Sequence, residues 1–201
     1  LAVALLLPTL GLSVSTVVTA GPAGAAAPDP TIHYAFDGDL TDSGGASHLT
    51  LLPDCTAPDS NACNATTSFG SDADGSYWSW TSTAARGGGF RMYSDVPIGS
   101  TYTMTMKFSF AQVGPSWKKI IDYKNRASDT GFYTIGGHIR FYNLGSQSTQ
   151  MFGPDYVFDL VAVRDNSTNT FTVYAMGTDK TLTQLIQIND PTGESVPQTV
   201  N

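Results

Sequence analysis

Glutamate is almost missing from this chain. Of its 17 acidic residues 16 are aspartate, and Glu194 is the one glutamate. Aspartate bonds nearby backbone and so favours turns over helices; the skew predicts many turns and few helices. Helical patterning is missing too, since no stretch of about ten residues carries the 3.6-residue apolar period of an amphipathic helix. Basic residues are scarce, ten in all. The net charge of −7 would repel a phosphate backbone, which argues against nucleic acid as a partner. The three histidines, His33, His48 and His138, form no HxH or HExxH pair, so a catalytic zinc is not expected. No serine sits in a G-x-S-x-G setting, and no P-loop or dinucleotide glycine pattern occurs.

Charge is also absent from residues 1–27. Leu1–Ala20 is apolar and small, and Ala23-Gly24-Ala25 fits the small-x-small cleavage pattern. This reads as the end of a secretory signal whose basic start is lost. A membrane span is the rival, weakened by Pro8, Gly11 and the Ser/Thr of Ser13–Thr19. The rest, residues 28–201, suits one domain. The mature chain is then expected to be secreted, with no membrane span. In an oxidising compartment Cys55 and Cys63 would close a Pro/Asp/Asn loop as a disulfide. That bridge would stabilise by roughly 2–3 kcal/mol, because the loop is short. Asn64-Ala65-Thr66 and Asn166-Ser167-Thr168 would be glycosylated only in a eukaryotic secretory pathway.

What the chain does have is period-two alternation. In Thr103–Phe110, Met104, Met106, Phe108 and Phe110 face one way and Thr105, Lys107 and Ser109 the other, the mark of a half-buried strand. Phe171, Val173 and Ala175 alternate likewise, as do Ile139 and Phe141, while Val157–Val163 reads as a central strand. Asp129-Thr130-Gly131 and Gly136-Gly137 flank a short strand, Phe132–Ile135, and the glycine pair opens a hairpin into Ile139–Tyr142. Asp165–Asn169 joins two further strands. The expected fold is all-β, an antiparallel jelly-roll β-sandwich, with Ile32–Phe36 as its first strand. The turn-rich stretch Asn189–Pro197 ends it without a closing strand, so a truncation at the C-terminus is expected.

Three segments in order carry a family resemblance. They are Tyr34-x-Phe36-Asp37-Gly38-x-Leu40-x-Asp42-Ser43-x-Gly45, then Ile121–Asn125 with Asp129-x-Gly131-x-Tyr133, then Leu160–Asp165 with Phe171-x-Val173-Tyr174. Together, from about Thr31 to Met176, the chain resembles a laminin-G-like domain of the concanavalin A-like lectin/glucanase superfamily, in its bacterial secreted form. The resemblance implies a jelly-roll module that binds glycans or extracellular proteins at its loop edges, often with calcium. Retaining glucanases of that superfamily need two Glu carboxylates about 5–5.5 Å apart. With Glu194 alone in a Pro/Gly-rich tail, that mechanism is absent from the visible chain.

Candidate site residues follow, each with a structural alternative. Asp37, Asp39 and Asp42 at a strand end, with Asp129 at another loop, offer oxygen ligands for Ca²⁺; the same residues also serve as ordinary turn formers. Asp72 and Asp74 make a weaker acidic loop. Trp78 and Trp80 share a strand face and Trp117 lies in a loop; flat aromatics stack on the C–H faces of sugars, or simply fill a core. His138, Arg140 and Tyr142 alternate on one side of a strand, where Arg140 and Tyr142 could meet a ligand. The reading that results is a secreted, non-catalytic module recognising carbohydrate or an extracellular protein. Its alternatives are a protein-adhesion module without a sugar ligand, and a glycosidase or lyase on the same fold drawing on Asp122, Asp129 or His138.

Overall fold

The computed structural model describes residues 30–45, 47–51, 65–82, 89–125 and 127–198. The charge-free segment 1–27 and the Cys55/Cys63 loop lie outside the described residues. Within the unit Ile32–Asn201 the described residues form twelve strands and no helix. They are β1 (Ser47–Leu51), β2 (Ala65–Asp72), β3 (Gly75–Ser82), β4 (Phe90–Ser94), β5 (Tyr102–Phe108), β6 (Lys118–Asp122), β7 (Gly131–Ile135), β8 (His138–Tyr142), β9 (Gln147–Met151), β10 (Phe158–Asp165), β11 (Thr170–Met176) and β12 (Leu182–Asn189). All pairings are antiparallel.

Two four-stranded sheets make the body. Sheet I runs β12-β11-β10-β5 and sheet II runs β6-β7-β8-β9. Two smaller ribbons, β1-β4 and β2-β3, accompany them. The alternation read from the sequence decides what faces inward. Phe132 of β7 and Ile139 and Phe141 of β8 share one buried cluster with Phe158, Leu160, Ala162, Phe171 and Val173 of sheet I. Phe171 sits edge-on to both Phe132 and Phe141, at ring-centre distances of 6.1 and 5.3 Å, so the two sheets close on one aromatic core. Each fully buried ring of this kind contributes roughly 1.5–3 kcal/mol. The arrangement is sandwich-like, as the sequence predicts at that level.

Turn chemistry punctuates the strands, and it explains the aspartate excess. Asp39, Asp72, Asp122, Asp165 and Asp179 each accept the backbone N–H two residues on, at 2.8 to 3.0 Å. A carboxylate one methylene further from the backbone closes that ring poorly. Gly136 and Gly137 both take positive φ, 56° and 80°, which is the two-residue hairpin turn expected between β7 and β8.

One expectation is corrected. Ile32–Phe36 is not a strand: Phe36 takes φ 55°, which breaks the extended run, and the segment is held through His33 O, which accepts from Ser43 N at 2.9 Å. The described strands begin at Ser47. A strand that the sequence reading did not place precedes the turn-rich tail. β12 pairs with β11 after the Gly177–Thr181 turn, its Ile186 and Ile188 entering the core.

The tail after β12 is fixed by a buried ion pair. Arg164 occupies a core-facing position at the end of β10, 1% exposed, and its Nε lies 3.4 Å from Oδ2 of fully buried Asp190. Asp190 also accepts from Glu194 N, Ser195 N and Ser195 Oγ at 2.7, 2.8 and 2.6 Å. Tyr102 of β5 donates to Ser195 O at 2.7 Å, and Gln198 N donates to Tyr123 O at 2.9 Å, which seats the tail against the core.

Candidate functional site

Sheet II turns its second face outward. On β7 the core takes Phe132, which leaves Gly131 and Tyr133 on the other side; on β8 it takes Ile139 and Phe141, which leaves His138, Arg140 and Tyr142. Register then sets a row across all four strands: Lys119, Tyr133, Arg140 and Gln147 are successive cross-strand partners. A second row holds Asp122, Gly131 and Tyr142.

Trp117 enters from the loop before β6. That loop is tied to the β7–β8 turn by Gly136 N, which donates to Gly114 O at 3.0 Å. The indole meets Tyr133 and Tyr142 edge-on, at 5.4 and 5.5 Å between ring centres, and the Arg140 guanidinium lies over its face at 5.1 Å. Trp117 and Tyr142 are each 42% exposed, whereas Tyr133 beneath them is 5% exposed. Three of the sequence candidates, Trp117, Arg140 and Tyr142, are therefore brought together on one face of sheet II.

The flank of this platform is charged. Lys119 Nζ lies 2.6 Å from Asp122 Oδ2 and 3.6 Å from Asp129 Oδ1, and it sits 5.1 Å from the centre of the Tyr133 ring. The Tyr133 hydroxyl donates to Asp129 Oδ1 at 2.7 Å. Burial, then that hydrogen bond and the nearby carboxylate charges, push the Tyr133 phenol far above its usual range, so it stays protonated and acts as a donor. Gly131 leaves room for the ring: a Cβ there would stand 2.6 Å from Ile121 O and 3.3 Å from the Tyr133 ring.

The remaining candidates lie elsewhere. Trp78 is 9% exposed, stacks on Trp80 at 4.9 Å and lies tilted against Phe90 at 3.9 Å between ring centres; Trp80 is 40% exposed. Their ring contacts continue to Phe36 and Tyr34, not to Trp117. Asp39 is occupied by Thr41, whose N–H and Oγ donate at 2.8 and 2.7 Å, and this holds its carboxyl below the usual range. Asp42 is buried and accepts from His33 N at 2.6 Å, and Asp37 is exposed. Among the described residues no group of three or more His, Cys, Asp or Glu side chains is placed to hold a metal ion. His138 Nδ1 is hydrogen-bond distance, 2.9 Å, from Ser148 O, and is thereby anchored to β9. A recess of about 80 Å³ lined by Gly45, Ser47, His48, Tyr93 and Asp95 is far below the ~300–1,000 Å³ of small-molecule pockets.

Sequence reasoning did not single out Tyr133, Lys119 or Gln147 as site residues. Their part depends on strand register, which no local pattern displays. Compared with protein-family models, with curated proteins and with solved structures, the chain matches none.

Proposed function

We propose that this chain is a non-catalytic binding module that receives carbohydrate on the outer face of sheet II. On this reading it is a secreted, laminin-G-like protein, and its two four-stranded sheets form a jelly roll of the concanavalin A-like kind. The observation that carries the proposal is the pairing of exposed Trp117 and Tyr142 beside Arg140 on a sheet locked by core packing. Aromatic faces and edges suit the apolar C–H faces of sugar rings, and nearby polar heads suit their hydroxyls. Protonated Tyr133 and the carboxylates paired with Lys119 favour holding a ligand over transferring protons.

The test is a broad glycan array probed with the full chain and with Trp117→Ala and Tyr142→Ala, each in calcium and in chelator. Binding to a defined glycan class is expected, weakened about tenfold or more by Trp117→Ala, as for truncation of an aromatic anchor. Calcium dependence would bring the Asp loops back as ligands. No binding in either buffer would refute the sugar reading and leave a protein-adhesion module.

A further inference from the structure

Four cations on the described part of this acidic chain are held by carboxylates. Arg164 is paired with Asp190, Lys107 with Asp74, Lys119 with Asp122 and Asp129, and Lys124 with Gly193 O and Glu194. Arg140 differs. Among the described residues its guanidinium has neither a carboxylate at ion-pair distance nor a hydrogen-bond acceptor, and what it touches is the face of Trp117. It is half-buried, and it stands in the centre of the row that crosses sheet II.

We infer that the sheet II face selects an anionic sugar, with Arg140 receiving a uronate carboxylate or a sulfate ester on the glycan. This rests on the carbohydrate reading above and narrows its ligand class. The indole face orients a planar donor fork, and such a fork matches a carboxylate or sulfate bidentately while the aromatic edge beside it takes the ring. Asp122 and Asp129 would repel an anion from this face, but Lys119 is set between them. Gln147, exposed and directly across from Arg140, offers an amide to a neighbouring hydroxyl. A net charge of −7 gives no long-range attraction for polyanions. Selection therefore falls to one local contact, and its salt dependence is that of a single charge, unlike that of a polybasic strip.

The experiment is calorimetric titration of the full chain with two matched pairs. One pair is galacturonate oligosaccharides and their carboxyl-reduced counterparts; the other is sulfated galactan oligosaccharides and their desulfated counterparts. Poly-glutamate serves as a non-sugar acid. Arg140→Gln and Arg140→Lys are compared with wild type after circular dichroism. One acidic sugar is expected to bind about tenfold or more tightly than its neutral partner, as a charge-assisted hydrogen bond implies. Arg140→Gln should erase that preference and Arg140→Lys should keep part of it. Which pair responds identifies the anion. If Arg140→Gln does not fold, Arg140→Lys and the salt slope decide: a reduced preference and a slope near one charge support the inference, and an unchanged preference overturns it. Equal binding of acidic and neutral sugars, both lost in Trp117→Ala, overturns the inference and leaves carbohydrate binding intact. Poly-glutamate binding as tightly as the sugars overturns it in favour of an acidic protein segment. No binding of any sugar overturns both readings.

Discussion

Arg164 and Asp190 form an ion pair shut away from water at the end of the core, with Nε and Oδ2 3.4 Å apart and side chains 1% and 0% exposed. The guanidinium is further held by carbonyls, Nη1 donating to Asp165 O at 2.7 Å and Nη2 to Asp190 O at 3.0 Å. Desolvating two charges is expensive, so the pair's net contribution is small; removing one partner is not, because it strands the other. Asp190→Ala should destabilise by about 3–5 kcal/mol. Urea unfolding followed by circular dichroism measures it. A change under about 1 kcal/mol, the level of an exposed pair, would contradict the burial of this contact.

Gly131 governs the platform from beneath. A methyl group there would meet Ile121 O at 2.6 Å, a backbone atom with no rotamer to yield, and would press on Tyr133 and Lys119. Gly131→Ala is therefore expected to lose about 1–3 kcal/mol of stability, as overpacked positions do. It should also weaken glycan binding more than a remote substitution of equal stability cost, because Tyr133 supports Trp117 and Tyr142. Equal binding by the folded variant would detach Tyr133 from the site.

Much of the fold was legible because alternation and turn residues are local signals. Phe132, Ile139, Phe141, Phe171 and Val173 announce their burial by spacing, and the Gly136-Gly137 hairpin announces itself by composition. β12 was not legible: Leu182, Thr183 and Gln184 are exposed, and Ile186 and Ile188 are too brief a pattern to separate from a loop. Arg164 was hidden for another reason, since arginine is mostly found exposed and only the arrival of Asp190 makes its burial tolerable. At the site, Trp117, Arg140 and Tyr142 were named singly for their chemistry. That they meet depends on a loop tied by Gly114 O and on the register between β7 and β8.

Alkali should unfold the protein from within. Burial raises the phenols of Tyr102 and Tyr123 well above their ordinary value, with each other and Asp190 nearby, and Tyr133 is raised likewise. A group whose folded pKa is raised keeps its full stabilising effect below the unfolded value, about 10 for tyrosine, and loses it as pH climbs toward the folded one. Stability should thus fall above about pH 10. Phenolate absorbance near 295 nm would show these three ionising together with loss of the β-sheet signal. Nine phenols titrating normally in a protein that keeps its native spectrum would contradict the buried placement.

The aspartate turns make the opposite prediction at acid pH. Asp39, Asp165 and Asp179 each accept a hydroxyl and a backbone N–H from the residue two positions on, and each carboxyl is held below its ordinary range by those bonds, the hydroxyl bond first. A depressed folded pKa gives stability that is present above the unfolded value, about 3.9, and disappears as pH falls through the folded one. Asp39 and Asp179 are exposed and Asp165 is half-buried, so each effect is modest and partly screened by salt. Carboxyl chemical shifts followed by NMR should show the three titrating below their neighbours, and Asp39→Ala should remove the effect at the first turn. The same titration repeated with calcium separates the two readings of Asp39. An unchanged midpoint fits a carboxylate occupied by Thr41, while a calcium-induced drop would mean that the turn opens to place Asp39 on a metal.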